Sequence, residues 1–319
     1  SAGSRVYTPG ASASKMTIDK VRKAAAELGY RPNVLARAMV SGRSKIIGLV
    51  VAYFENQFYP DVLEKFSKAL QAEGYHVLIF MASQTAGNID KVVGEILDFQ
   101  VDGIIAASVA LSSELSERCR KAGVRMVLFN RSQDDPLMSA VTSANIEGGR
   151  KVAKFLLAGG HKKISYIAGW EGASTQRDRE AGFREVLNAA GIELHSREVG
   201  DFSSELARKV SVSMFHEDPP DAVFVANDHM AISVMDTLRF ELGLKVPDDV
   251  SVVGYDDVPT AAWKAYDLTT IRQPANRMVA ETVEILLTKI NDSGADPRRV
   301  EINGPLIVRG SARIPEGWK

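Results

Sequence analysis

Before residue 45 the apolar positions recur at helical spacing. Ile18, Val21, Ala25 and Leu28 fall on one face, and Ser14 is placed to cap the start. Gly29 closes this helix, and Arg31-Pro32 breaks it. A shorter helical stretch is expected over Asn33–Val40, ending at Gly42, with a Ser41-Gly42-Arg43-Ser44-Lys45 linker behind it. After residue 45 the pattern alternates. Apolar runs of strand character are Ile46–Val51, Val77–Phe80, Gly103–Ala106, Met126–Phe129, Ile164–Ala168, Ala222–Val225 and Val250–Gly254. Helical patterns lie between them, among them Asp61–Ala72, Ile89–Phe99, Gly148–Leu157, Gln176–Ala190, Ala207–His216 and Met230–Leu242.

Alternation of this length predicts an α/β protein with parallel sheets and helices on both faces. Strands that are apolar throughout fit sheets buried on both sides. Two such units fit 319 residues better than one. One boundary is expected near Thr142–Ile146, where a strand ends and a Gly-Gly helix begins. Another falls near Thr269–Pro274, a strand ending in proline. Helix Ala275–Ile290 and short strands near Val300–Ile302 and Leu306–Arg309 are expected to return to the first unit, so that the chain crosses between lobes several times. We therefore assign residues 1–45 to a head and hinge, 46–142 with 273–304 to a first lobe, and 143–272 with 305–319 to a second. Two open lobes joined this way leave a cleft at the carboxyl ends of their strands.

Charge sharpens the picture of the head. Residues 1–45 carry nine basic and two acidic side chains, whereas the other 274 residues carry 30 basic and 38 acidic ones. A basic head on an acidic body suggests a nucleic-acid-binding segment. Cys119 is the only cysteine, which excludes intramolecular disulfides and cysteine-based metal clusters. No apolar run approaches the ~20 residues of a membrane span, and no signal segment is evident, so a cytoplasmic protein without membrane association is expected.

An enzyme is not expected, and neither a metal nor a cofactor. The chain has no G-x-x-x-x-G-K-[ST], H-E-x-x-H or G-x-S-x-G motif, and no G-x-G-x-x-G after a strand. Ser12 and Lys15 match S-x-x-K without its companion motifs, and the five histidines lack metal-ligand spacing. Asp256 and Asp257 are adjacent in an extended segment and so point to opposite sides, which does not suit a concerted acid/base pair.

The polar residues at strand ends are more informative. Asn56-Gln57-Phe58-Tyr59 follows the first strand, Asn130-Arg131 the fourth apolar run, Asn227-Asp228 the sixth, and Asp256 the seventh. Lobes of this type place ligand contacts there. Flat aromatic faces at Phe58 and Tyr59, with directed hydrogen-bonding groups on Arg131, Asn227 and Asp256, suit a polyhydroxylated ligand such as a sugar.

In order and spacing, a set of short motifs resembles the lactose-repressor (LacI/GalR) family of bacterial transcription regulators. It comprises Ser4-Arg5-Val6, Glu27 to Asn33, Ala36 to Met39, Ile47 to Val50, Val101 to Ile105, Asn145 with Glu147-Gly148-Gly149, and Gly160-His161. Further along it comprises Arg179 with Gly182-Phe183, Asn227-Asp228, Val253 to Asp257, and Leu268 to Ile271 with Gln273-Pro274. The resemblance covers nearly the whole chain. It implies a partial all-α helix-turn-helix head followed by two doubly wound lobes of periplasmic-binding-protein type. It also implies a homodimeric, effector-responsive regulator, a repressor by expectation, with operator DNA and a small-molecule effector of carbohydrate type as its partners.

Because only a few residues precede Ser4, the head looks truncated relative to a complete helix-turn-helix. The resemblance places DNA contacts at Ser4, Arg5, Tyr30, Arg31, Asn33, Arg37 and Met39. Met39 stands where the family carries a leucine wedge for the minor groove, a role methionine can also fill. It adds Arg179, the aromatic Phe202 and Gln273 at a lobe crossover to the effector set of Phe58, Tyr59, Arg131, Asn227 and Asp256. Asn33–Val40 is shorter than the ~12–15 residues of a marginally stable isolated helix, so it is expected to fold against DNA or a partner hinge. The alternative from another class is a sugar-binding protein of the periplasmic solute-binding type, which the basic head and the hinge pattern disfavour.

Overall fold

The computed structural model describes residues 6, 14–29, 43–52, 54–82, 86–109 and 113–318. The expected DNA contacts Ser4, Arg5, Tyr30, Arg31, Asn33, Arg37 and Met39, and the hinge stretch Asn33–Val40, lie outside these residues. The strands in chain order are β1 (Ile46–Val51), β2 (His76–Met81), β3 (Gly103–Ala107), β4 (Arg125–Phe129), β5 (Ser139–Ser143) and β6 (Ile164–Ala168), then β7 (Arg197–Val199), β8 (Ala222–Val225), β9 (Ser251–Asp256), β10 (Thr269–Arg272), β11 (Arg299–Ile302) and β12 (Leu306–Ile307). The helices are α1 (Lys15–Glu27), α2 (Phe58–Ala72), α3 (Ala86–Asp98), α4 (Ser113–Lys121), α5 (Asn145–Ala158), α6 (Ser174–Ala189), α7 (Ser204–Met214), α8 (Asp228–Asp236) and α9 (Ala275–Asn291).

Helix α1 begins where the sequence places its cap. The Ser14 hydroxyl accepts from Thr17 N at 3.3 Å, satisfying one of the orphan amides of the first turn. The helix ends beside Gly29, whose φ of +63° is open to glycine without strain.

Two six-stranded sheets follow. The first has the order β11-β5-β4-β3-β1-β2 and is parallel throughout. The second runs β12-β10-β9-β8-β6-β7 and is parallel except for β12. The chain enters the second sheet after Ser143 and leaves it after Arg272. Helix α9 then packs on the first sheet, β11 joins that sheet, and the chain crosses again to β12.

The continuous apolar strands are buried on both faces for a simple reason. Ile47, Leu49 and Val51 of β1 share a core with Phe66 and Leu70 of α2. Ile46 and Val50 share the opposite core with Ile96 and Leu115 of α3 and α4. Full burial of a side chain such as Phe66 contributes about 1.5–3 kcal/mol.

Two features depart from the hydrophobic pattern. Strand β7 is three half-buried residues, two of them charged, and carries no apolar signal. The helix expected over Met230–Leu242 is α8 continued by a π turn at Thr237–Glu241. The extra residue per turn keeps Leu238 in the core while Phe240 faces outward.

Candidate ligand-binding site

In both sheets the strand order reverses around one strand, β1 in the first and β6 in the second. The carboxyl ends next to these reversals face each other across the cleft. Residues of both lobes converge there: Asn56, Tyr59, Asn130 and Arg131 from the first, and Thr175, Arg179, Phe202, Asn227 and Asp256 from the second. The free space between them is about 10 Å³, room for about one water molecule.

On the first lobe, Tyr59 ties the strand ends together. Its hydroxyl bonds the Ser108 hydroxyl after β3 and accepts from Asn130 Nδ2 after β4, at 3.2 Å. Asn56 accepts from Phe58 N at 3.0 Å, and its Nδ2 donates to Asp256 Oδ2 across the cleft at 2.9 Å. Phe58 does not line the cavity. Its ring packs edge-on to Tyr59 at 5.4 Å and stacks on Phe129 at 6.3 Å, deep in the core. The Arg131 guanidinium lies 5.1 Å from the Trp170 ring.

On the second lobe, Arg179 is buried and held from several sides. Nε donates to Asn145 Oδ1 at 2.9 Å, Nη1 donates to the Ala226 carbonyl at 2.6 Å, and the guanidinium stacks 3.6 Å over Tyr255. Nη2 stands 3.6 Å from Asp256 Oδ1, an ion pair rather than a hydrogen bond. Asp256 also accepts from Gln273 Nε2 at 2.7 Å, so Gln273 acts behind the lining rather than within it. Asn227 caps α8 through Oδ1, which accepts from Met230 N at 3.0 Å, while the residue also lines the cavity.

The position of Arg179 depends on two close-packed helices. A Cβ on Gly149 of α5 would fall 2.1 Å from the Arg179 carbonyl oxygen. One on Gly182 of α6 would fall 1.9 Å from that of Ile146. Only glycine lets the two backbones approach so closely.

Left-handed backbone clusters at the same place. Ser108, Asn130, Phe202 and Asp257 have φ near +57°, and Asp256 has φ of 125°. Such non-glycine conformations cost of order 1–3 kcal/mol each and persist where surrounding contacts enforce them. The two adjacent carboxylates do diverge. Asp256 enters the cleft, and Asp257 is gripped by Arg272 and Arg309, each at 2.6 Å.

Burial raises the Asp256 carboxyl above its ordinary value, against the pull of Arg179. Asp228 lies behind it, accepting from Thr270 Oγ1 at 2.6 Å and Val258 N at 2.9 Å. Burial first, and the charge of Asp256 second, push Asp228 up to about 7. A carboxyl raised in the fold contributes its stability in full below the unfolded value near 3.8 and loses it as pH rises through about 7. Asp228→Asn is therefore expected to flatten the fall in denaturation midpoint between pH 4 and 7. A parent and variant whose midpoints run parallel over that range would contradict the assignment.

Asn56 and Asn130, which the strand-end pattern marks without their entering the expected effector set, line the cavity; Thr175, which also lines it, and Asn145, which positions Arg179, carry no such mark. Among the described residues no group of His, Cys, Asp or Glu could hold a metal ion, and no helix is long and apolar enough to cross a membrane.

Comparison with known proteins agrees with this geometry. Residues 153–312 match the family described as periplasmic binding protein-like domain. The chain is 30% identical over 309 residues to the HTH-type transcriptional repressor PurR of Photobacterium profundum, covering 94% of this chain and 91% of that protein. Among solved structures it resembles the lac repressor dimer bound to operator and the anti-inducer ONPF, with a TM-score of 0.87 at 26% identity. It likewise resembles a transcriptional regulator CelR–cellobiose complex, with a TM-score of 0.77 at 30% identity. Each structural match covers 97% of this chain and 94% of the other. With two lobes joined by chain crossovers, a polar cleft at their strand ends and a match to PurR over nearly its whole length, the chain belongs to the LacI/GalR family of transcription regulators.

Proposed function

We propose that this protein is a homodimeric repressor whose two-lobed core binds a carbohydrate-type effector between the lobes, and that effector binding sets its affinity for operator DNA. The observation that carries the reading is the make-up of the cleft. Amides, a carboxylate and guanidinium groups converge with Tyr59 and Phe202 on one small space. That combination suits hydroxyls and the flat face of a sugar ring. Asn130 Oδ1 is a buried acceptor with no hydrogen-bond partner among the described residues, available to a ligand hydroxyl. The relatives solved with cellobiose and with operator are consistent with the same class of partners.

The coupling follows from bonds that join the lobes. Asn56 donates to Asp256, Thr260 Oγ1 donates to Gln57 Oε1 at 3.0 Å, and Ser132 N donates to Ser174 Oγ at 3.0 Å. A sugar needs far more than about 10 Å³, so it enters by parting these bonds and resets the lobe angle. The first lobe is clasped to the segment leading into the head. Asp102 accepts from Ser44 N and Oγ at 2.8 and 3.0 Å and from Lys45 N at 3.1 Å. Rotation of residues 46–142 with 273–304 against 143–272 with 305–319 then moves the heads of a dimer. The open edge of β2, with Ile79 and Met81 about half exposed (52% and 48%), supports dimerisation on the first lobe.

Fluorescence anisotropy of operator DNA with protein carrying a complete helix-turn-helix head tests this. A saccharide that raises the melting temperature is expected to shift DNA affinity about 5–150-fold, the range of coupling free energies of 1–3 kcal/mol. Sedimentation in the same buffer is expected to give a dimer. A stabilising saccharide that leaves DNA affinity unchanged would refute the coupling.

A further inference from the structure

A second, larger space opens directly outside the polar cleft. It measures about 780 Å³ and is lined by both lobes, by Glu114, Glu117 and residues 131–136 on one side and by Gly172, Ser174 and Arg177 on the other. Arg131 lines both spaces. The consecutive residues Ser174 and Thr175 face the outer and inner spaces respectively, and the Ser132–Ser174 bond marks the threshold between them.

We propose that this outer space is a second sugar subsite, so that the effector is a disaccharide or a longer saccharide rather than a single ring. The proposal rests on the carbohydrate reading of the inner cleft and extends it.

Three observations support it. First, the volume lies within the ~300–1,000 Å³ usual for small-molecule sites, whereas the inner space of about 10 Å³ leaves no room beside a first ring. A saccharide anchored inside must project its next ring across Arg131.

Second, the charges nearly balance. Glu114, Glu117, Asp134 and Asp135 face Arg120, Arg131 and Arg177. A polyanion would meet four carboxylates, and a polycation three guanidinium groups. A neutral ligand rich in hydroxyls can donate to the first and accept from the second without uncompensated charge.

Third, polar ends are available on both walls. Arg120 and Glu117 are engaged by Asp135 and Lys121. By contrast, among the described residues the side chain of the exposed Arg177 makes only a long 3.4 Å bond, to the Gly172 carbonyl. Glu114, on the facing wall, is also exposed. A ring between Arg177 and Glu114 would bridge the lobes, as a ring in the inner cleft would, and would add to the same change of lobe angle.

Isothermal calorimetry on the full chain tests the subsite with glucose, galactose and xylose and with the disaccharides cellobiose, lactose and xylobiose. At least one disaccharide is expected to bind tenfold or more tightly than its component monosaccharides. Arg177→Ala with Glu114→Ala is expected to remove that margin while leaving monosaccharide affinity within twofold. Both positions are exposed, and melting curves check that the variant stays folded. Monosaccharides that bind as tightly as the disaccharides, or a margin that survives the double substitution, would overturn the subsite and leave the inner site standing. Failure of all six sugars to bind would overturn the carbohydrate reading and the subsite together.

Discussion

Arg179→Ala is expected to destabilise the protein by about 3–5 kcal/mol, the usual consequence of breaking a buried ion pair. The loss does not come from one contact. Without the guanidinium, Asp256 stays buried with its charge uncompensated, and Asn145 Oδ1 and the Ala226 carbonyl lose their donor. Denaturant titration reads the effect as a lower midpoint at unchanged slope. Saccharide binding should disappear along with stability, because the arginine lines the cleft. Arg179→Met combined with Asp256→Asn separates the two effects. Removing both charges should recover most of the stability, since a buried pair is often matched by neutral groups of similar volume. It should not recover binding. An alanine variant within about 1 kcal/mol of the parent would mean that water reaches the site and screens Asp256.

The second large effect is expected at Gly182. An alanine there would place Cβ 1.9 Å from the Ile146 carbonyl oxygen, well inside contact distance and against backbone that cannot rotate away. Helices α5 and α6 must separate. Overpacking of this kind typically costs about 1–3 kcal/mol and occasionally more; with backbone as the obstacle, we expect about 3 kcal/mol. Gly149→Ala, whose Cβ would sit 2.1 Å from the Arg179 carbonyl oxygen, should behave alike. Both variants should also weaken saccharide binding, because Asn145 and Arg179 ride on the separating helices. A Gly182→Ala variant as stable as the parent in urea would show that the helices slide apart freely and that their contact does not position Arg179.

Much of this protein is written in local pattern. Strand β1 stands at Ile46–Val51, as its six apolar residues require, because a run without polar positions can only lie between two covered faces. Ser14 and Gly29 bound α1 through effects confined to a few residues. The strand-end positions of Tyr59, Arg131, Asn227 and Asp256 follow from parallel topology, which sends every carboxyl end of a sheet to one side.

What depends on distance in the chain was not legible. Phe58 and Tyr59 are neighbours at the start of α2 and equally good ring donors on paper. Only the packing of α2 on β4 turns Phe58 onto Phe129 and leaves Tyr59 to the cleft. Strand β7 forms without an apolar run because β6 supplies a partner for its backbone. Asn56 meets Asp256 across 200 positions of sequence, a pairing with no local signature. The glycines at 148, 149 and 182 were visible as letters, but whether they mark turns, flexibility or helix contact depends on what lies opposite. Local sequence fixes most strands and helices and the residues at their ends, β7 excepted, because hydrophobic periodicity and backbone conformation act over a few residues. Which of those ends face one another emerges only in the assembled fold, because hydrogen bonds and close packing depend on ångström-scale distances between segments far apart in the chain.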